Sequence, residues 1–89
     1  MNNNLQNISD FEDKSLLIVD DDNPFRDRLA RAMEKKGFSV SQAEGVKKGI
    51  DLINLKKPAF AVVDLRLADG NGLEIVKELQ ASNTSCKII

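Results

Sequence analysis

Apolar and polar residues follow one another in blocks along this chain, and the period of the blocks changes in a regular order. Residues 15–20 open with a continuous apolar run, Leu16-Leu17-Ile18-Val19, and end in three acids, Asp20, Asp21 and Asp22. A second run, Phe60-Ala61-Val62-Val63, ends in Asp64. Short unbroken apolar runs bounded by turn signals predict strands buried on both faces, as inside a parallel sheet. Between them, residues 38–43 (FSVSQA) alternate apolar and polar, which predicts a strand with one wet side at a sheet edge.

Three stretches carry a helical period. The first runs over 24–36, with Asn23 as its N-cap, Pro24 at the first helical position and Gly37 as its stop. Phe25, Leu29, Ala32 and Met33 mark its buried face, while Arg26, Asp27, Arg28, Arg31 and Glu34 line the others. The second covers 45–55, with Val46, Ile50 and Ile53 inward and Lys56, Lys57 and Pro58 at its end. Gly49 weakens this helix by about 1 kcal/mol of propensity. The third covers 72–81, with Leu73, Ile75, Val76 and Leu79 on its apolar side. A turn over 82–85 leads to a last strand over 86–89. The order β-α-β-α-β-α-β predicts an α/β fold, a doubly wound parallel sheet with helices on both faces. Residues 1–13 are polar, Asn-rich and without period, and read as a flexible tail.

Composition narrows the function more by exclusion than by suggestion. Hydrophobic content of 42% and charged content of 30% are those of an ordinary soluble domain. A net charge of −1 provides no electrostatic footprint for nucleic acid or an anionic membrane. There is no histidine, which removes His-based catalysis and His-ligated zinc, and the single Cys86 reads as a structural thiol in a reducing compartment. No apolar run reaches the ~18 residues of a spanning helix, and the N-terminus lacks a signal-peptide pattern, so a cytoplasmic chain is expected. The Lys47-Lys48 and Lys56-Lys57 pairs read as solvated helix surface.

Chemistry points to the strand ends. In open α/β sheets, ligands bind at the carboxyl ends of the strands. An isolated Asp there is most simply a turn residue or helix cap. If the sheet order is 2-1-3-4-5, however, the first and third strands are neighbours, and Asp20, Asp21 and Asp64 meet in one crevice. Three carboxylates repel one another, and oxygen donors with room for water suit Mg²⁺. Zinc and copper are disfavoured without imidazole or thiolate ligands. A divalent ion would also offset the repulsion between a carboxylate and an incoming phosphoryl group. The chain has neither a Walker-type loop nor GxGxxG, so the phosphoryl group would arrive on another molecule.

LLIVDDD, followed by VVDLRLADGNG and a helix, resembles the receiver domain of bacterial response regulators over residues 14–89. The resemblance implies the flavodoxin-like receiver fold, with Asp64 as phosphoacceptor for a sensor histidine kinase. It also implies Mg²⁺ held by Asp20, Asp21, Asp64 and the backbone carbonyl of Arg66. Asp22 would lie near the first helix's N-terminus, where the dipole favours a carboxylate. The family commonly has Met-Pro where this chain has Leu67-Ala68, and Asp-Gly where it has Asn71-Gly72. Ala68 removes a rigid loop residue, which puts loop mobility and dephosphorylation rate in doubt. The DLRLADGNG form looks most like regulators that join a receiver to a Fis-type helix-turn-helix, including those of redox and photosynthesis control.

By the same resemblance, the family's Thr or Ser ending the fourth strand, its Lys ending the fifth, that last strand and two helices would lie beyond Ile89. The expectation is therefore a C-terminally truncated receiver. It would be association-prone, open to forming a homodimer, and able to reach DNA only through an output domain absent from these residues. Two other readings compete. A haloacid-dehalogenase-type, Mg-dependent phosphohydrolase would use Asp20 as nucleophile, with Asp22 completing a DxD spacing. A receiver-like interaction domain would not be phosphorylated at all.

Overall fold

Residues 16–19 are all fully buried, because they lie in a strand at the interior of the sheet. This strand, β1 (Ser15–Val19), pairs in parallel with β2 (Ser39–Ala43) on one side and with β3 (Phe60–Val63) on the other. A short last strand, β6 (Lys87–Ile88), adds to β3, giving the order β2-β1-β3-β6. The computed structural model describes residues 13–82 and 85–89. The tail expected over 1–13 thus lies, Asp13 apart, outside the described residues, as does part of the turn expected over 82–85.

Three helices connect the strands: α1 (Asn23–Lys35), α2 (Val46–Leu55) and α3 (Leu73–Ser82). The pleat sorts the strand residues between two cores. Leu17, Val19 and Ala61 point to the face covered by α2 and α3, where they meet Val46, Ile53, Ile75 and Leu79. Leu16, Ile18 and Phe60 point to the α1 face, where they meet Ala30, Leu29 and Met33. Each fully buried Leu or Ile contributes roughly 1.5–3 kcal/mol. As the alternating pattern predicts, β2 is an edge strand, with Ser39 and Ser41 exposed and Val40 half-buried between them; Ala43 at its end is buried. At the opposite edge, Ile88 and Ile89 are 39% and 70% exposed.

Several local expectations are corrected. The N-cap of α1 is Asp22, not Asn23, because the Asp22 carboxylate accepts the Phe25 N–H at 3.0 Å. Phe25 and Ala32 are exposed, and the inward face is instead Arg26, Leu29, Ala30 and Met33. The helix starts one residue earlier than expected, and its docking on the sheet turns Arg26 and Ala30 inward in place of Phe25 and Ala32. The stop is as expected: Gly37 takes φ 103, and Phe38 N–H returns to the Met33 carbonyl at 3.1 Å. Leu73 is 49% exposed, so the apolar side of α3 rests on Ile75 and Leu79.

Gly49, counted against α2 by propensity, has a packing reason. A Cβ there would lie 2.8 Å from Ile75 Cδ1 and 3.4 Å from Val19 Cγ2. Its absence lets α2 approach both β1 and α3 closely. Cys86 packs against the same core, and partial burial pushes its thiol pKa up, which suits a structural rather than a reactive role. Among the described residues, no helix is long and apolar enough to cross a membrane.

Candidate functional site

The sheet order that makes β1 and β3 neighbours brings the three carboxylates together. Asp64 N–H donates to the Val19 carbonyl at 2.8 Å and Asp20 N–H to the Ala43 carbonyl at 3.1 Å, so the ladder continues to the last residue of each strand. Beyond that point the chain turns away, and Asp20, Asp21 and Asp64 each offer a carboxylate oxygen within 4.8 Å of the others. Asp20 and Asp64 are half-buried and Asp21 is exposed. Three hard oxygen donors with open access suit a cation that keeps part of its water shell.

The β1 side of the site is organised by α1. Asp22 N–H donates to Asp20 Oδ1 at 2.9 Å, which orients that carboxylate. Arg26, expected on the solvent side, is half-buried: its Nη1 donates to the Asp20 carbonyl at 2.7 Å and its Nε to Gln42 Oε1 at 3.0 Å. One guanidinium therefore ties α1 to the ends of both β1 and β2. A positive residue one and a half turns after the acids was the available sequence signal. Its inward direction depended on the strand-end acceptors that meet it, the Asp20 carbonyl and the Gln42 amide oxygen.

The β3 side, expected as a loop, contains a small antiparallel hairpin, β4 (Arg66–Leu67) with β5 (Gly70–Asn71). Leu67 is buried in the α2–α3 core and anchors it. Arg66 N–H donates to Asp64 Oδ1 at 3.1 Å. At the hairpin tip, Asp69 reaches across to α2, accepting the Val46 N–H at 2.8 Å and the Lys47 N–H at 3.2 Å. These two bonds hold the Asp69 carboxyl below its ordinary pKa. The cap of α2 is thus supplied from a distant loop, since Gly45 at the N-cap has no side chain of its own.

Past the hairpin, Asn71 and Glu74 cap α3 together. Asn71 Oδ1 accepts the Leu73 N–H at 2.9 Å, and Glu74 Oε2 accepts the Asn71 N–H at 3.1 Å. This Asn-x-x-Glu pair is a variant of the capping box and could have been read from sequence. Beside the cluster lies a groove of about 500 Å³ lined by Asp21, Lys47, Lys48, Asp51, Ala68 and Asp69, among others. Of the three clustered carboxylates, only Asp21 borders it.

A parallel α/β sheet with an acidic cluster at the ends of its first and third strands defines the class of protein. Residues 16–89 match the response regulator receiver domain family, and the chain belongs to that family. Among curated relatives, it is 52% identical over 77 residues to the photosynthetic apparatus regulatory protein RegA of Cereibacter sphaeroides, covering 86% of this chain and 42% of the relative. It is 49% identical over 77 residues to the acid tolerance regulatory protein ActR of Rhizobium meliloti, covering 86% and 40%. The chain therefore spans about two fifths of the length of these relatives. A solved response regulator from Burkholderia pseudomallei, with a phosphorylated aspartic acid, calcium ion and citrate, superposes with a TM-score of 0.81 at 33% identity, over 85% of this chain and 45% of that one. The resemblance read from LLIVDDD and VVDLRLADGNG is thereby shown. The dehalogenase-type reading receives no support from these relatives.

Proposed function

We propose that this chain is the phosphoacceptor receiver of a two-component response regulator, with Asp64 taking a phosphoryl group from a sensor histidine kinase. One observation carries the reading: Asp20, Asp21 and Asp64 converge to within 4.8 Å at the ends of two neighbouring strands. The all-oxygen donor set fits Mg²⁺, which Asp20, Asp21, Asp64 and the Arg66 carbonyl would hold. When bound, the ion supplies charge neutralisation between an anionic acceptor and an anionic phosphoryl group.

The remaining work falls to the chain itself. The Arg66 N–H on Asp64 Oδ1 restrains the carboxylate plane and leaves Oδ2 as the proposed attacking oxygen. In the transfer, the bond from Oδ2 to phosphorus forms as the phosphorus–nitrogen bond of the donor's phosphohistidine breaks. The imidazole keeps the electron pair and takes a proton from water. Arg26 and the Asp22 N–H hold Asp20 in place on the other side of the crevice. The acyl phosphate then shifts a conformational equilibrium, so the chain is a switch rather than a turnover enzyme. Transcriptional output, in a cytoplasmic setting, would be exerted through a DNA-binding part of the protein outside these residues.

Incubation with acetyl phosphate and Mg²⁺ tests the reading. One acid-labile phosphate per chain is expected, with none in Asp64→Asn or in the presence of EDTA. Label on Asp20 with continuous release of phosphate would replace it with the phosphohydrolase reading.

A further inference from the structure

The hairpin that follows Asp64 has little of its own to hold it. It has two residues per strand and an Ala68-Asp69 tip, and Ala68 brings no ring to restrict the turn. Isolated hairpins of this size are not stable in water. At its base Asn71 N–H donates to Glu74 and Gly72 N–H to the Leu65 carbonyl; towards the tip two attachments fix it, Leu67, buried in the core, and the Asp69 carboxylate on the first two amides of α2. The α2 end of the second attachment is shaped for it. A Cβ on Gly45 would lie 2.5 Å from Asp69 Oδ1 and 2.9 Å from Asp69 Cγ, so only a glycine there admits the carboxylate. Gly45 itself has φ −164, extended backbone that any residue adopts, so the reason for glycine is the space and not the conformation.

We propose that Asp69 is a positioning residue for the acceptor site: seated on α2, it holds the β4–β5 hairpin and thereby the backbone of Arg66. This rests on the reading of the Arg66 carbonyl as a metal ligand. Arg66 lies on β4 opposite Asn71, so movement of the tip is carried directly to it. The same backbone unit donates its N–H to Asp64 Oδ1. The Asp69 seat therefore restrains both a proposed ligand and the orientation of the acceptor carboxylate.

Two variants remove the seat from opposite sides. Asp69→Ala deletes the carboxylate, and Gly45→Ala pushes it out while leaving Asp69 intact. Ile53→Val serves as the control, loosening the packing of α2 without touching the seat. In both seat variants, Mg²⁺ affinity followed by NMR titration is expected to fall roughly tenfold, the scale of losses at residues that support metal ligands. The Arg66 amide is expected to exchange faster with solvent in both. In Ile53→Val, neither readout is expected to change. Unchanged affinity and unchanged Arg66 exchange in the seat variants, or an equal loss in the control, would overturn the proposal. If the wild type binds no Mg²⁺, the metal reading fails by itself. Arg66 exchange measured without metal then decides: acceleration in both seat variants upholds the restraint, and its absence overturns it.

Discussion

The turn after β1 and the hairpin after β3 perform the same task, since each carries a strand-end carboxylate into the site and then starts a helix. Both contain local bonds, but only the second is seated on a separate helix. After β1, most of the bonds are local: Asp22 N–H to Asp20, Phe25 N–H to Asp22 and Arg26 to the Asp20 carbonyl all fall within six residues. After β3, the hairpin tip is held by amides 22 and 23 residues earlier in the chain, and glycines make room for it. A junction of the first kind can form as soon as its own residues are in place. One of the second kind exists only when α2 and the sheet have already docked. Damage to the first should therefore remain local, whereas damage to the second should reach across elements.

Gly72→Ala should show this contrast most strongly. A Cβ there would run into the backbone carbonyl of Asp64 and lie 2.9 Å from Leu65 Cα, and backbone cannot swing aside as a side chain can. A loss of about 3 kcal/mol is expected from denaturant unfolding. A near-neutral result would show that the hairpin yields easily and would weaken the comparison. Arg26→Met keeps the aliphatic stem but removes the donors to Asp20 and Gln42. About 2 kcal/mol should be lost, as for a part-buried bond from a charged group, with NMR shifts confined to the ends of β1 and β2. Asp22→Ala removes the α1 cap and should cost about 1 kcal/mol, while Asp22→Asn should restore most of it.

The smallest effect is expected from acid. Because its bonds to α2 depress the folded-state pKa of Asp69 below 3.8, its contribution to stability is complete above that value. It is lost as pH falls through the depressed folded-state value. Asp13, lowered by its bonds to Ser15, titrates in the same direction at the far end of β1. The measurement must therefore be the difference between wild type and Asp69→Asn. That difference should be constant at neutral pH and shrink below pH 3.8. A difference independent of pH would mean that the seat does not depend on the carboxylate charge.

The elements and their order were legible because each is written in its own residues. The apolar runs at 16–19 and 60–63, the alternation at 39–43 and the glycine stop at 37 act over a few positions. The acids that end β1 and β3 could also be picked out, but they meet only because β1 and β3 are neighbours, an order that parallel topology alone leaves open. Helix faces were less secure: on α1 the inward side has Arg26 and Ala30 where the apolar period suggested Phe25 and Ala32, because docking on the sheet and not the period alone sets the face. The hairpin was missed altogether. Two-residue strands have no measurable period, and their pairing is stabilised by Leu67 entering a core that the local sequence does not describe.

What the sequence determined by itself, then, is the set of strands and helices, the strand-end carboxylates and the family to which their motifs belong. Short-range propensity and hydrophobic period are properties of neighbouring residues and survive without the fold. Only the tertiary structure decided that Gly49 is a packing residue, that Arg26 braces two strand ends and that Asp69 caps a helix 22 residues away. Those contacts join residues whose proximity is created by docking α1, α2 and α3 onto the sheet. Until the chain folds, nothing in their local surroundings distinguishes them from solvent-facing residues.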